Sequence, residues 1–539
     1  MTTAPRRLLS GLGLGLVLGA ACYDGPAAMD TEGTTTTGPM LCTSNLVTCP
    51  DGTCVAPGPG GVCCGHGGVC PSDDTGPVGT SNMTTPTSSI GPPDTTGPGP
   101  TTDPTTLDPT TGSSSSDDGS SSSTGDPPMG CYDPGMFPYA GPLCGPAATP
   151  CTVQAAETIE PMVVARNGTP SIAFDDDCEP AVLHAQSVGG TLGFFAQRVA
   201  ANTWDVQPTP FDMVQGGLDY DPVTGFFGAM VYEGSFDVSA RIYDGMWGPG
   251  DYLVGNFSLS TKAFALTGDV ALHGLLQESG VGLRDVVWDG AAWVPAVATT
   301  GGPTDLLPAL AVAPDGTHHF TYWAYGGMEP ALRWETSAGA AESVTFYGDA
   351  VVSPALAQEI ALTDDMGTIV PHVLAATATA PGNRVQVVYL RRDAVATWTS
   401  IVLAAEDPTG ETTCDVPPMM PGESCTLDRT TYRPLAIAAS LGGDVRWLYT
   451  QTHELVDYIA ECLPDCTWTP LADMSTYDTH LGWLEGGMLM SVELLPDTRL
   501  VRGNLEIDGQ GTMHLVAYAD EIPDTVANGT TVEYFRIGP

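Results

Sequence analysis

Basic residues are scarce in this sequence, in which Lys262 is the only lysine. The 17 basic residues stand against 63 acidic ones, which gives a formal net charge of −46 at pH 7. Such a chain is repelled by nucleic-acid phosphates and by anionic membrane surfaces. Nucleic acid is therefore excluded as a partner, whereas cationic partners, divalent cations and neutral polysaccharides remain compatible with the charge.

Aromatic residues are missing between Tyr23 and Cys131, and basic residues are missing between Arg7 and Arg166. A stretch of this kind cannot build an ordinary hydrophobic core. Two parts of it, residues 22–41 and 75–130, are rich in Thr, Ser, Pro, Gly and Asp, which is typical of disordered linkers. All ten tryptophans come later, so residues 131–539 are predicted to form the main folded domain.

The N-terminal apolar run, from Leu8 to Ala21, is too short to span a bilayer as a stable helix. Two arginines precede it, and this layout predicts a secretion signal over residues 1–21. The run ends in Leu18-Gly-Ala-Ala-Cys22, which resembles a bacterial lipobox, although Gly19 stands where that family prefers leucine. The resemblance implies that Cys22 is acylated, for example with palmitate, and anchors the protein to the bacterial envelope, at the outer membrane or cell surface. An ordinary signal peptide cleaved nearby is the alternative.

Cysteine usage indicates an oxidising compartment. Of 15 cysteines, 14 remain when Cys22 is set aside, and they fall into even local groups. Exported proteins seldom leave a cysteine unpaired, so these groups are predicted to form disulfides. The candidates are Cys42, Cys49, Cys54, Cys63, Cys64, Cys70, Cys131, Cys144, Cys151, Cys178, Cys414, Cys425, Cys462 and Cys466. A zinc site at the last pair is disfavoured, because no second pair of ligands follows it.

Six of these cysteines lie in residues 42–74, between the two linkers. This small module faintly resembles granulin-type and other knotted miniproteins, although its adjacent cysteines come fourth and fifth in order. Six cysteines allow fifteen pairings, so the connectivity stays open. A rigid spacer and a small binding module are both compatible with the pattern.

The large domain contains an internal repeat of apolar strand, Gly/Asp turn and alternating strand. Units start near Val163, Leu218, Phe264, Leu310, Leu362, Leu435 and Leu505. Several units add a hairpin that ends in tryptophan, at Trp204, Trp247, Trp293, Trp398 and Trp468, and these tryptophans are predicted to pack the sheets together. Most spacings are near 50 residues, and two of about 70 residues predict loop insertions, one of them at residues 406–430.

About four short strands per unit predict an all-β fold, a β-propeller. Seven four-stranded blades are favoured, with six blades, eight blades or tandem β-sandwiches as alternatives. The last unit is too short for four strands, so residues 152–159 are expected to complete its sheet and close the ring. The blade pattern over residues 160–539 loosely resembles secreted propellers of the sialidase-like and lectin-like kind. That resemblance concerns architecture and implies no activity.

Catalytic signatures are absent: the sequence has no Gly-x-Ser-x-Gly, no His-Glu-x-x-His and no Walker loop. No catalytic residue is assigned, and a glycosidase whose two carboxylates come from different blades remains possible. Asp175, Asp176 and Asp177 are a candidate calcium site, with a solvated turn as the alternative. His318 and His319 are expected on opposite faces of one strand, so they cannot bind one metal ion together.

Three functions follow from these observations. The leading hypothesis is a surface lipoprotein whose propeller binds an extracellular glycan or protein, because this role needs no missing motif. A secreted glycan hydrolase would instead need carboxylates that converge on the central channel. A purely structural envelope protein is the third. No cofactor is expected apart from the possible calcium.

Overall fold

The computed structural model describes four short strands between residues 47 and 70, and residues 130–539 apart from sixteen short gaps. These gaps are residues 133–136, 164–165, 188–190, 234–236, 259–263, 266, 269–270, 303–305, 325–329, 345–350, 355–357, 380–383, 407–413, 415–416, 463–465 and 521–529. The signal segment, Cys22, Cys42, Cys49 and most of both linkers lie outside the described residues. In the described part the chain contains strands and no α-helix, and no helix there is long and apolar enough to cross a membrane.

The chain divides into two compact units, Met1–Ser122 and Ser123–Pro539. In the smaller unit, β1 (Val47–Thr48) pairs with β2 (Cys54–Val55), and β3 (Val62–Cys64) pairs with β4 (Gly68–Cys70). The division between the units falls inside the second linker of the sequence analysis. The finer domain boundaries given there stay predictions.

The larger unit contains seven antiparallel sheets among its described residues, each of four or five strands. Its first strand, β5 (Thr152–Val163), belongs to the last sheet. Sheet 1 contains β6 (Arg166–Phe174), β7 (Pro180–Ser187), β8 (Thr191–Ala200) and β9 (Thr203–Asp212). Sheet 2 contains β10 (Gln215–Asp221), β11 (Phe226–Glu233), β12 (Asp237–Tyr243) and β13 (Asp251–Leu253). Sheet 3 contains β14 (Phe257–Ser258), β15 (Phe264–Ala265), β16 (Leu272–Glu278), β17 (Gly282–Trp288) and β18 (Trp293–Ala298). Sheet 4 contains β19 (Leu306–Val312), β20 (His318–Ala324), β21 (Ala331–Thr336) and β22 (Ala341–Ser343).

The remaining sheets follow in the same order. Sheet 5 contains β23 (Val351–Pro354), β24 (Glu359–Asp365), β25 (Thr368–Thr379), β26 (Arg384–Ala394) and β27 (Thr397–Ala405). Sheet 6 contains β28 (Ser424–Ala439), β29 (Val445–Cys462), β30 (Cys466–Asp473), β31 (Thr476–Glu485) and β32 (Met488–Leu495). Sheet 7 contains β33 (Arg499–Ile507), β34 (Met513–Asp520) and β35 (Thr530–Gly538), and β5 pairs with β35 as its fourth strand. In sheets 3 and 5 the first position is shared by two strands that pair with the same neighbour.

The inner strands of the seven sheets form a closed circle of contacts. These are β6, β10, β15, β19, β24, β28 and β33; each contacts the next, and β33 contacts β6. Buried aliphatic and aromatic side chains fill the space between neighbouring sheets, as in the cluster that joins sheets 6 and 7. This arrangement is what a ring of blades requires. The all-β propeller fold expected from the repeat is confirmed.

Ring closure depends on a strand from the opposite end of the domain. Residues Thr152 to Val163 pair with Gly538 to Thr530, so the first strand of the larger unit is the outermost strand of its last sheet. The expectation for residues 152–159 is therefore correct. Because the N- and C-terminal strands share one sheet, the ring cannot close until the whole domain has been made.

The expected loop insertion at residues 406–430 is wrong for its last seven residues. Residues 424–430 belong to β28, and its N-terminal part pairs with the C-terminal part of β29. Thr426 donates to Asp457 at 2.6 Å, and Arg429 pairs with Glu454, so cross-strand partners hold this extension. The long repeat spacings on either side of Leu435 therefore arise because β28 and β29 are unusually long strands. The C-terminal part of β29 also pairs with β30. Disulfide Cys414–Cys425 lies within residues 406–430, and disulfide Cys462–Cys466 joins the end of β29 to the start of β30.

Of the predicted tryptophans, Trp204, Trp247 and Trp293 contact the neighbouring sheet. Trp204 donates from its indole nitrogen to Glu157 of β5 at 2.9 Å, and Arg198 forms a bidentate pair with the same carboxylate. Between sheets 4 and 5 the arrangement recurs, since Arg392 forms a bidentate pair with Glu342 and lies over the Trp334 ring. In both pairs the arginine lies on the third strand of its sheet, and the glutamate lies on the fourth strand of the preceding sheet.

Candidate functional site

A channel runs through the centre of the ring, and its walls are the seven inner strands. Its outer half has a volume of about 80 Å³ and is lined by residues of these strands alone. Its deep half has a volume of about 150 Å³ and is lined by β15, β19, β24, β28 and β33, by Leu441, and by Phe137, Pro138 and Tyr139. Each half is large enough for several water molecules. We call these two spaces the outer half and the deep half.

The deep half is closed by a segment that precedes β5. This cap, residues 130–151 apart from residues 133–136, lies against the turns that follow the inner strands. Cys131 donates to the carbonyl oxygen of Asp176 at 2.7 Å, and Leu441 donates to that of Tyr139 at 2.8 Å. These contacts lie on sheets 1 and 6, so the cap spans the channel end between them.

The buried side chain of Arg446 fixes the middle of the cap. Its guanidinium donates to the carbonyl oxygens of Cys144 at 2.6 Å and Leu143 at 3.0 Å, and it is 2 % exposed. The backbone N–H of Leu143 donates to Asp444 at 2.8 Å. Leu143 and Cys144 also join the core cluster of sheets 6 and 7. The cap is therefore an integral part of the hydrophobic core.

Two disulfides and one glycine position the ends of the cap. Cys131 is bonded to Cys178 in the first turn of sheet 1, and Cys144 is bonded to Cys151. A Cβ atom at Gly509 would lie 1.9 Å from the carbonyl oxygen of Cys131, so a side chain at this position would force the cap away. With the pairs described above, the expectation of disulfides in the large domain is confirmed.

Polar side chains of neighbouring inner strands line the outer half. In β33, Leu505 is buried in the core, so the alternating residues Asn504 and Glu506 face the channel. Asn504 accepts from the backbone N–H of Ile172 at 3.1 Å and donates to Glu506 at 3.1 Å. Ser171 accepts from the backbone N–H of Leu218 at 3.0 Å. These bonds join sheet 7 to sheet 1 and sheet 1 to sheet 2.

Glu359 and Gln215 also line the outer half. Glu359 accepts from the backbone N–H of Ile437 at 3.1 Å, which joins sheets 5 and 6. Gln215 is 4 % exposed and lines the cavity, and no described residue forms a hydrogen bond with its side-chain amide.

Asp219 lies deeper on β10 and holds a turn of the next sheet. Its carboxylate accepts from the backbone N–H groups of Thr267 and Gly268 and from the Thr267 hydroxyl, at 2.8 to 3.1 Å. Burial raises the pKa of Asp219 to about 7, although these hydrogen bonds act in the opposite direction. Tyr132 of the cap stacks on the neighbouring Tyr220 ring, so this turn also supports the cap.

The predicted calcium ligands form a turn. The Asp175 carboxylate accepts from the backbone N–H groups of Asp177 at 3.0 Å and Glu179 at 2.9 Å, and Asp176 accepts from the Tyr220 hydroxyl. Asp508 makes the same kind of turn in sheet 7. Among the described residues no group of three His, Cys, Asp or Glu side chains converges as a metal site would require. Calcium binding at Asp175–Asp177 stays a prediction.

The histidines of the second strands belong to buried networks. His372 bonds Tyr389 and Thr363, and His514 bonds Tyr534 and Asp508, at 2.6 to 3.1 Å. Burial lowers the pKa of His372 to about 3 and also lowers that of His514, so both rings are neutral at pH 7. They stabilise the sheets and do not reach the channel lining.

His318 and His319 are both buried, and their environments differ. His318 contacts Asp285 and His273 in the neighbouring sheet, at 2.7 and 2.8 Å. His319 lies against the Trp334 ring instead. The two histidines therefore do not share a site.

Sequence reasoning missed the channel residues. The alternation Asn504-Leu505-Glu506-Ile507 is visible in the sequence. A polar residue in such a pattern can face either solvent or a channel, and the pattern does not distinguish the two. The cap was also missed, because residues 130–151 show no strand periodicity. Its three cysteines, Cys131, Cys144 and Cys151, were the available signal.

No protein-family model matches this chain, and no curated protein matches it. Solved structures resemble it at low identity. A protein of unknown function from Dyadobacter fermentans is 9 % identical, with a TM-score of 0.37 and coverage of 72 % of this chain and 99 % of that one. The Aleuria aurantia lectin, in complex with a fucosyl-GlcNAc, is 11 % identical, with a TM-score of 0.31 and coverage of 58 % and 97 %. A leech intramolecular trans-sialidase is 9 % identical, with a TM-score of 0.30 and coverage of 70 % and 68 %.

These likenesses are too distant to carry an argument about function. An architecture of the propeller type hosts many unrelated activities. The ring of sheets described above establishes that architecture independently. The chain is thus an all-β, disulfide-bonded protein with a propeller fold and a central channel that is closed at one end.

Proposed function

We propose that the larger unit binds a polar extracellular ligand, a glycan, in the outer half of the channel. The observation that carries this proposal is the channel itself, which the cap closes on one side. The described lining of the other half comes from the inner strands alone. Ligand sites are concave and bury most of the ligand's surface, and a pocket with one closed end has this shape.

The lining residues suit a polyhydroxyl ligand. Amide, hydroxyl and carboxylate groups of Gln215, Ser171, Asn504 and Glu506 offer both donors and acceptors, and Phe264 offers an aromatic wall. Sugars are bound by such a mixture of polar groups and apolar surfaces. The same strands form the rigid ring, so the groups are fixed before the ligand arrives.

The proposal includes anchoring. A lipid on Cys22 would hold the mature chain at the bacterial envelope, and residues 75–130 would carry the ring away from the membrane. At polyproline rise, about 3.1 Å per residue, such a linker reaches well over 100 Å when extended. A receptor on a long tether can capture ligands that do not come to the membrane surface.

The test is binding of the purified full-length protein to a glycan and polysaccharide array. Glu506→Gln removes one charge from the channel with little change of shape, and Glu493→Gln, on the exposed outer strand β32, is the matched control. We expect specific retention that Glu506→Gln weakens and Glu493→Gln leaves unchanged. A blank array, or retention that the channel variant does not alter, would refute the proposal and favour a protein partner or a structural role.

A second candidate is a glycan hydrolase, because two carboxylates, Glu359 and Glu506, line one cavity. A pair of carboxylates is what glycoside hydrolysis commonly uses. Release of reducing sugar from a retained glycan, abolished by Glu359→Gln or Glu506→Gln, would establish it. Retention without product would favour the binding role.

A further inference from the structure

The disulfides of the larger unit differ in how far the fold encloses them. Among its described residues the pairs are Cys131–Cys178, Cys144–Cys151, Cys414–Cys425 and Cys462–Cys466. The first three pairs each contain at least one buried cysteine, and Cys144 and Cys425 are both 6 % exposed. In the fourth pair both cysteines are partly exposed.

Cys462 and Cys466 lie opposite each other where β29 ends and β30 begins. In the described structure β30 pairs with β29 alone, and its residues from Pro470 to Asp473 are exposed. The cysteines of Cys131–Cys178 and Cys144–Cys151 lie in or against the core clusters of sheets 1, 6 and 7, whereas Cys462 and Cys466 belong to none of the described clusters. The fourth disulfide therefore lies at the outer edge of the extension of sheet 6.

This position matters for thiol–disulfide exchange. A thiolate must approach one sulfur of the bond, and the other sulfur must leave as a thiolate. A buried sulfur is hard to reach, and a charge on it is disfavoured away from water. In the first three pairs one of these two roles always falls to a buried cysteine. In Cys462–Cys466 either sulfur can be attacked while the other leaves next to solvent.

The fold also depends least on this bond. In the chain-entropy account a disulfide stabilises the folded state more when it closes a longer loop. The sequence separation is 4 for Cys462–Cys466, against 47, 7 and 11 for the other three pairs. β29 stays paired with β28 beside the bond, with Ile459 opposite Ser424. Opening of this disulfide therefore leaves the ring of sheets in place.

We infer that Cys462–Cys466 is a thiol-exchange site, at which an extracellular thiol becomes covalently attached to the protein. The incoming thiolate attacks one sulfur, a new S–S bond forms, and the Cys462–Cys466 bond breaks. The displaced cysteine leaves as a thiolate and takes up a proton from water. A second molecule of the same thiol can then remove the first as a symmetrical disulfide, so that two thiols are oxidised and the cysteine pair is reduced. The inference does not depend on the proposed function.

Charge selects among the thiols that can react. Glu461 is exposed next to Cys462, and Asp465 precedes Cys466 in the sequence. The sequence contains no lysine or arginine between Arg446 and Arg499, and the whole chain has a net charge of −46. Such surroundings repel an anionic molecule. We therefore expect neutral and cationic thiols to react faster than anionic ones.

The experiment treats the native full-length protein with cysteamine, a cationic thiol, or with mercaptoethanesulfonate, an anionic one, at equal thiolate concentration. The reaction runs at about pH 8, where part of each thiol is ionised. It is stopped with acid, free thiols are alkylated, and mass spectrometry follows each cysteine of the larger unit. We expect Cys462 and Cys466 to react at least tenfold faster than the other six. Cysteamine should react severalfold faster than the anionic thiol, and salt should reduce that difference.

Reaction of a second pair as fast as Cys462–Cys466, or no reaction of Cys462–Cys466, would overturn the inference. Equal rates for the two thiols would overturn the charge selection. These results come from the unaltered chain and need no variant to fold.

Variants test whether the bond is dispensable for the fold. Cys462→Ser combined with Cys466→Ser should abolish the fast adduct and keep the thermal midpoint close to that of the unaltered chain. Cys131→Ser combined with Cys178→Ser is the matched control, which should keep the fast adduct and lower the midpoint. A fall as large in the first variant as in the control would identify Cys462–Cys466 as a structural bond and overturn the inference.

Discussion

Single charged side chains connect neighbouring sheets at two junctions of this protein. Glu157 accepts from Arg198 and Trp204 across the junction between sheets 7 and 1, and Glu342 accepts from Arg392 between sheets 4 and 5. Burial alone would raise the pKa of Glu157, but the bonds from Arg198, the backbone of Asn202 and Trp204 outweigh it, so the pKa is lowered. The bonds from Arg392 lower the pKa of Glu342, against the effect of burial.

We predict that acid weakens these two junctions. A carboxyl whose pKa is lower in the folded than in the unfolded chain contributes stability above the unfolded pKa, about 4.5 for glutamate, and this contribution is lost as pH falls through the folded pKa. Urea midpoints at about pH 6 and pH 3 test it. Glu157→Gln should lower the midpoint at pH 6 and have a smaller effect at pH 3. An equal effect at both values would contradict the prediction, and Glu493→Gln serves as the control.

Replacement of Arg446 should loosen the cap. In Arg446→Met the carbonyl groups of Leu143 and Cys144 lose their buried donor, and the expected cost is roughly 2 to 4 kcal/mol in the free energy of unfolding. Urea denaturation measures the loss, and hydrogen exchange should show faster exchange in residues 137–151. Unchanged exchange in the cap would show that the disulfides alone hold it. Arg429→Met, at a half-exposed cross-strand pair, is the control and should cost less than about 1 kcal/mol.

Among the strands, β5 has a role that its own sequence does not show. It lies far from sheet 7 along the chain, yet it covers β35 from Thr152 to Val163. Without it, β35 would expose an unpaired edge, and the junction with sheet 1 would lose Glu157. The cap precedes β5, so the two elements can be separated by truncation.

We expect truncations to separate the contribution of β5, which completes sheet 7, from the contribution of the cap. A chain that begins at residue 166 lacks both elements and should be insoluble or show no cooperative thermal transition. A chain that begins at residue 150 keeps β5 and should fold with a lower midpoint than one that begins at residue 130. Circular dichroism during heating tests all three. A cooperative transition in the shortest chain would show that the ring closes without β5.

At the scale of the whole molecule, charge and tether act together. The net charge of −46 keeps copies apart, and the lipid proposed on Cys22 would hold each copy at the envelope. Anchoring then depends on one atom of the chain, the Cys22 sulfur. This makes it testable without disturbance of the ring.

Cys22→Ala should move the protein from the membrane fraction into the soluble exported fraction. Acylation gives membrane affinity through buried CH₂ groups, and none remains in the variant. Fractionation and immunoblotting measure the change, with Cys144→Ala as a control that keeps the anchor. Persistence of the Cys22 variant in the membrane fraction would contradict lipid anchoring.

The sequence alone determined the class of fold, because strand alternation and turn residues are local properties. Val163, Leu218 and Leu505 lie in inner strands or within three residues of one, so the repeat was readable from single units. The local cysteine pairs were readable for the same reason. The closing role of residues 152–159 followed from a count of strands in the last unit.

The tertiary structure alone decided where the candidate site lies. Gln215, Glu359 and Glu506 are far apart in sequence, and they line one cavity because seven inner strands meet around one axis. Which face of a strand turns to that axis depends on how its neighbours pack, and alternation cannot distinguish a channel from solvent. The cap likewise owes its position to carbonyl groups that a buried arginine from sheet 6 can reach. Such contacts between distant residues have no local signature.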